Sequence, residues 1–248
     1  MKPTHYIYII YAAALLASCD SGNIEDKTFV VTETGRTVKV TARVSGISEW
    51  SGSSFTLAAA AFTADSKYAL MQRALPSTLS DGQDISIVLS NISDEVQTVE
   101  LSLTNSLRKR IVTLAAINMN DYASGTPRDT ILLALNNIDV SRFGVLQMGI
   151  FDKACIQCHG GNGRSAAGLN LTEGNARANL VDIESSRIQG VARIKSGSPD
   201  ESLLHLILSD GAENLLSVNH TEILSNQFKQ NLEEVRTLID SWIESLAQ

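Results

Sequence analysis

Between residues 28 and 140 the chain alternates apolar and polar side chains with a period of two. Val38, Val40, Ala42 and Val44 form one such run, Ile85, Ile87 and Leu89 a second, and Val99, Leu101 and Leu103 a third. That alternation predicts strands with one face in a core. Phe55 to Phe62, Ile111 to Met119 and Thr130 to Val140 are further extended segments, and Asp65 to Leu75 fits either a strand or a short helix. Turn chemistry separates the runs at Thr34-Gly35, Ser45-Gly46, Asp81-Gly82 and Ser124-Gly125-Thr126-Pro127. About seven short strands in about a hundred residues predict an immunoglobulin-like β-sandwich. No cysteine lies in this region to bridge its sheets, and Trp50 is expected in the core or at a corner.

Near Ser141 the period changes to that of a helix. Phe143, Leu146, Ile150 and Phe151 share one broad face of a predicted helix over Arg142 to Ala154. Gly160-Gly161-Asn162-Gly163 then permits a sharp turn, and without a following Lys-Ser or Lys-Thr it is no phosphate loop. Thr172 can cap a short helix through Leu180. Ser198-Pro199-Asp200-Glu201 is a stronger start signal, with Ser as cap, Pro in the first turn and Glu at the capping-box position. Leu203, Leu204, Ile207 and Leu208 follow as its buried stripe. A last helix is predicted from Asn231, with Glu234 three residues on. Along it Leu232, Val235, Leu238, Ile239, Trp242, Ile243 and Leu246 recur at helical spacing, so its role is packing. The expected fold is all-β plus all-α in two domains, a β-sandwich over 28–140 and a small helical domain over 141–248.

The N-terminus sets an expected compartment. Lys2 precedes a short apolar core from Tyr6 to Leu16, too short to span a bilayer comfortably. Leu16-Ala17-Ser18-Cys19 resembles the lipobox of bacterial lipoproteins. That resemblance implies a signal peptide over 1–18, a lipid on Cys19, a polar tether over 19–27 and an extracytoplasmic protein anchored to a bacterial membrane. The other reading is an ordinary secretory signal with a stray cysteine. The formal net charge of −7 is spread through both halves. It carries no basic footprint for nucleic acid.

Cys155-Ile156-Gln157-Cys158-His159 reads C-x-x-C-H, the attachment signature of a c-type haem. Thiols at i and i+3 fall on one side of a helical turn and can reach two vinyl groups. The adjacent imidazole can then ligate the iron. The chain has three cysteines, and the lipobox reading uses Cys19. The alternatives are a redox-active disulfide, half of a zinc site and an incidental pair. Zinc needs four ligands and no second cysteine pair exists. A thioredoxin-like site belongs in a βαβ pattern, which is missing here.

The order of motifs carries a further resemblance: a helix, Cys155–His159, Gly168-Leu169-Asn170-Leu171, Ser198–Leu204, and a terminal helix with Ser241-Trp242-Ile243. Over about residues 145–246 this resembles the planctomycete-type cytochrome c domain, a divergent class I-like module. The resemblance implies a small bundle of helices around one covalent haem c, bound through Cys155 and Cys158, with His159 as proximal axial ligand. Members usually carry a methionine upstream of the last helix as the second axial ligand. No methionine follows Met148 here, and His220 stands near that position. The sixth position is therefore assigned to His220, with an open or water-bound site, His205 or a methionine from elsewhere as alternatives. Met148 is expected on the proximal side as core. Arg164, Arg193 and Lys195 are read as solvated surface residues, although each is able to neutralise a haem propionate.

These readings predict a membrane-tethered mono-haem cytochrome that transfers single electrons to and from redox protein partners and is not an enzyme. A peroxidase-like activity follows only if the sixth site is open. The rivals are a binding lipoprotein whose sandwich recognises a glycan or protein around a structural or sensory haem, and a thiol–disulfide enzyme using Cys155 and Cys158.

Overall fold

The computed structural model describes residues 35–122, 129–229 and 231–247. The expected signal peptide, Cys19, the tether and the turn at 124–127 lie outside the described residues. No described helix is long and apolar enough to cross a membrane.

Among the described residues, seven strands form two sheets. β1 (Arg36–Ser45) lies between β4 (Gln83–Ile92) and β7 (Thr130–Asp139) in one. β2 (Phe55–Thr63) and β5 (Val96–Asn105) are central in the other, flanked by β3 (Met71–Ala74) and β6 (Arg110–Asn118). The ambiguous segment 65–75 thus ends in a strand. The predicted alternation appears as burial, since Val38, Val40, Ala42 and Val44 of β1 share one core with Ile85, Ile87 and Leu89 of β4 and Val99, Leu101 and Leu103 of β5.

Two features depart from a simple one-sided sandwich. β7 runs parallel to β1, from Thr37 opposite Thr130 to Ser45 opposite Asp139, although every other pair is antiparallel. Glu100, Ser102 and Thr104 of β5 are also buried. Glu100 is satisfied there by Arg110 at 3.0 Å and Thr113 at 2.8 Å, and the Arg110 guanidinium lies 3.9 Å from the centre of the Phe62 ring. A buried carboxylate needs such partners, because desolvation without them costs several kcal/mol.

The helical part begins at Ser141, whose hydroxyl accepts from Gly144 N at 3.0 Å. α1 (Arg142–Leu146) runs without a break into a π-type stretch over Gln147–Cys155 and then into α2 (Ile156–His159). The helix expected over 142–154 is present, and from Gln147 it is widened to π pitch. Ile156 N bonds to Phe151 O, five residues back. The buried Gln147 side chain spans the widened turn, donating to Asp152 Oδ1 at 2.7 Å and to Leu171 O at 2.8 Å. Residues five apart meet on one face only when the helix is this wide.

α3 (Ala176–Leu180), α4 (Leu203–Leu208), α5 (His220–Gln227) and α6 (Leu232–Ser245) complete the chain. The capping box expected at Ser198 does not form; the last helix begins after Asn231 as expected, with no cap bond from the Asn231 side chain. At the first, a 3-10 turn over Pro199–Glu201 is broken by Ser202 in extended conformation, whose hydroxyl donates to Ser198 O at 2.8 Å. At the second, Glu234 pairs with Lys109 of the sandwich. The amphipathic stripe of α6 is buried at Val235, Leu238, Ile239, Trp242 and Ile243.

Sandwich and helices share one hydrophobic core, and Thr34–Gln248 forms one compact unit. Trp50 is buried at the junction, with Nε1 donating to Val140 O at 2.6 Å. Arg142 N donates to Glu49 at 2.9 Å, and its guanidinium to Ser241 O of α6 at 3.2 Å. Two glycines permit close approaches. Gly46 has φ +78°, and a Cβ there would stand 2.5 Å from Ser141 backbone. A Cβ on Gly149 would stand 2.9 Å from the Val112 side chain on β6. The helix that carries the cysteine motif therefore rests directly on a sandwich strand.

Candidate functional site

Cys155 ends the π-type stretch, and Cys158 and His159 lie one turn on. His220 opens α5. These four residues, distant in sequence, line one cleft of about 630 Å³. Cofactor sites fall in the range of about 300–1,000 Å³. Leu171, Leu180, Leu203, Leu208, Leu224 and Ile239 make its wall apolar, while Leu215 and Val218 line it with much of their surface exposed.

The two imidazoles stack with ring centres 6.4 Å apart and planes within 18° of parallel. A metal–imidazole bond is about 2.0 Å and the bonding nitrogen lies about 1.1 Å from its ring centre. Two imidazoles holding one ion between them thus have centres about 6.2 Å apart. Each ring is also prepared on its outer side. His159 Nδ1 lies 3.1 Å from Ala166 O and His220 Nδ1 lies 3.0 Å from Val218 O. A carbonyl only accepts, so Nδ1 is the donor at each ring, which leaves Nε2 as the nitrogen able to ligate. This is the arrangement by which proteins orient metal-binding histidines.

Burial is the main cause that lowers the His159 pKa from 6.5, and the neighbouring His220 adds to it against the raising effect of the Ala166 carbonyl. The ring is accordingly neutral at pH 7, the form that ligates. Cys155 moves the other way. Desolvation first, then Asp152 and Cys158, push its thiol up from 9.0 to about 12. Neither Cys155 nor Cys158 is in a disulfide.

The residues fit a c-type haem on three counts: two thiols at i and i+3 on one cleft wall, two imidazoles at bis-ligand spacing, and an apolar lining large enough for a flat cofactor.

No family model, curated protein or solved structure matches this chain.

Among the other sequence candidates, His205 is turned away from the cleft. Its Nδ1 bonds to Asp240 at 2.8 Å on the far side of α4, and it does not line the cleft. Met148 packs against the common core, and no described methionine lines the cleft. Lys195 pairs with Glu201 on the surface, and Arg164 does not reach the cleft.

Arg193 is corrected from a surface residue to part of the site. It lines the cleft and donates to Asn179 O at 2.7 Å, Ala167 O at 3.2 Å and Gly168 O at 3.4 Å. It thereby clamps the loop whose Ala166 carbonyl orients His159. Arg187 also lines the cleft and was not singled out. Neither arginine stands in a motif, and only the folded loops bring them to the cysteines.

Proposed function

We propose that residues 141–248 form a class I-like cytochrome c domain holding one covalent haem c, and that the protein is a membrane-anchored carrier of single electrons outside the cytoplasm. The observation that carries this reading is the pairing of His159 and His220 across the cleft that Cys155 and Cys158 also line, at 6.4 Å. In this reading the two thiols hold the cofactor by thioether bonds, His159 is the proximal ligand and His220 the distal one. When bound, the haem supplies the Fe(III)/Fe(II) couple. Arg193 keeps the His159 ring oriented through the Ala166–Gly168 loop, and the apolar wall excludes water from the ligating nitrogens. Two imidazoles in place of an imidazole and a methionine set the potential below that of a typical His/Met cytochrome.

The thiol states support this reading over a thiol–disulfide enzyme. A nucleophilic cysteine of that class has a lowered pKa, often at a helix N-terminus. Cys155 stands near the C-terminal end of its helix, and its thiol is pushed up.

The sandwich pairs β1 with β4, β2 with β5 and β5 with β6, as strands B–E and C–F–G pair in an immunoglobulin-like domain, and β7 takes the place of strand A in parallel. Its proposed role is to hold the haem domain at a fixed attitude toward redox protein partners while a lipid on Cys19 tethers the chain. Expression outside the cytoplasm with haem-attachment machinery tests the proposal. The intact mass gains one haem, and the product is reduced and reoxidised by one electron. A polypeptide that gains no mass under those conditions refutes it.

A further inference from the structure

The two histidines are held very differently, and this has a functional consequence if the haem reading above is correct. His159 ends a helix anchored by buried Leu146, Ile150 and Phe151. Its carbonyl accepts from Leu171 N at 2.7 Å, and its Nδ1 partner sits in the loop that Arg193 clamps. His220 lies in a segment, Ser209 to Ile223, in which no residue is buried. The carbonyl that orients it belongs to Val218, itself 49% exposed in that same segment. The segment is tied to the rest of the fold by the Thr221 hydroxyl on Ile207 O at 3.1 Å, by Arg236 of α6 on the exposed Asp210 at 2.8 Å, and by the buried Leu224 that follows it. Segments with few buried apolar contacts open at the low end of the free-energy range while the core stays folded.

We infer that His220 is a detachable ligand and that the ferrous protein binds small neutral π-acceptor molecules at the iron in its place. Carbon monoxide is the probe of that class. The ligand enters when the segment Ser209–Ile223 opens, and His159 remains in position because its supports lie in the core. No bond is made or broken except the exchange of one axial ligand for another. An open form populated at about 0.1–10% weakens the apparent affinity by about 10- to 1,000-fold relative to a site that is always open.

The test uses the full haem-loaded chain. The wild type binds carbon monoxide at a rate that levels off with rising concentration, limited by loss of His220. His220→Ala binds about 10- to 1,000-fold more tightly at a rate that stays linear. A wild type with a bis-imidazole spectrum that binds no carbon monoxide over hours overturns the inference and leaves the cytochrome assignment standing. Equal affinities in the two proteins overturn it by removing His220 from the iron. A chain that takes up no haem refutes the proposed function itself. Amide hydrogen exchange on the haem-free wild type supplies an independent readout that needs no variant. Amides of 209–223 exchange well ahead of those of 146–159, and equal protection of the two segments overturns the inference.

Discussion

Cys155 offers the sharpest test of the environment around the cysteine pair. Its thiol is raised from 9.0 to about 12, with desolvation the largest cause and Asp152 and Cys158 adding repulsion. At pH 8 a thiol with the ordinary value is about one-tenth thiolate, whereas one at 12 is about one part in ten thousand. The thiolate is the reacting species, so alkylation of Cys155 in the haem-free protein runs about a thousandfold below that of a free thiol. Iodoacetamide labelling followed by peptide mass spectrometry measures it directly. Cys158, which is exposed, is labelled first. The Cys155 rate then climbs about tenfold per pH unit through pH 10. The same shift has a stability consequence. The folded pKa lies above the unfolded one, so this contribution to stability is fully present below pH 9 and is lost as pH rises toward 12. Labelling of Cys155 that is as fast as that of a free thiol, or that levels off by pH 7–8, refutes the reasoning and revives the thiol–disulfide reading.

Replacing the distal imidazole by a thioether, His220→Met, raises the reduction potential in voltammetry of the haem-loaded protein, because methionine ligation raises the potential of a c-type haem. Gly149→Ala drives a methyl into Val112 at 2.9 Å and costs about 1–3 kcal/mol in urea melts. Because sandwich and helices share one core, that loss appears in a single transition reported alike by far-UV circular dichroism and Trp fluorescence. In the haem-free protein His159 titrates below 6.5 by NMR, so its contribution to stability is present above pH 6.5 and is lost as pH falls from there through the lower folded value.

The strands were legible because the side-chain period of a strand is two whatever its neighbours. β1, β4 and β5 lie on the runs at Val38, Ile85 and Val99. Periodicity says nothing about which strands pair, and so the parallel seat of β7 beside β1 was hidden. The burial of Glu100 was hidden too, since it depends on Arg110 and Thr113 arriving from β6. The π-type turn escaped because a helix of either pitch buries much the same residues. It became visible in the Ile156 N to Phe151 O bond and the Gln147–Asp152 contact. Ser198 and Asn231 carried the local chemistry of caps, but Ser202 and Lys109 claimed the neighbouring groups. At the site, Cys155, Cys158 and His159 stood out because their spacing is local. His220 followed from motif order. Arg193 and the carbonyls of Ala166 and Val218 depend on loop geometry that no spacing encodes.

The central claim is that Cys155 and Cys158 carry a haem between His159 and His220. A pyridine haemochrome spectrum of protein matured outside the cytoplasm, with haem-attachment machinery present, tests it most directly. The account predicts a c-type spectrum with one haem per chain that survives acid–acetone extraction. Haem that extracts into acid–acetone, or none at all, contradicts it.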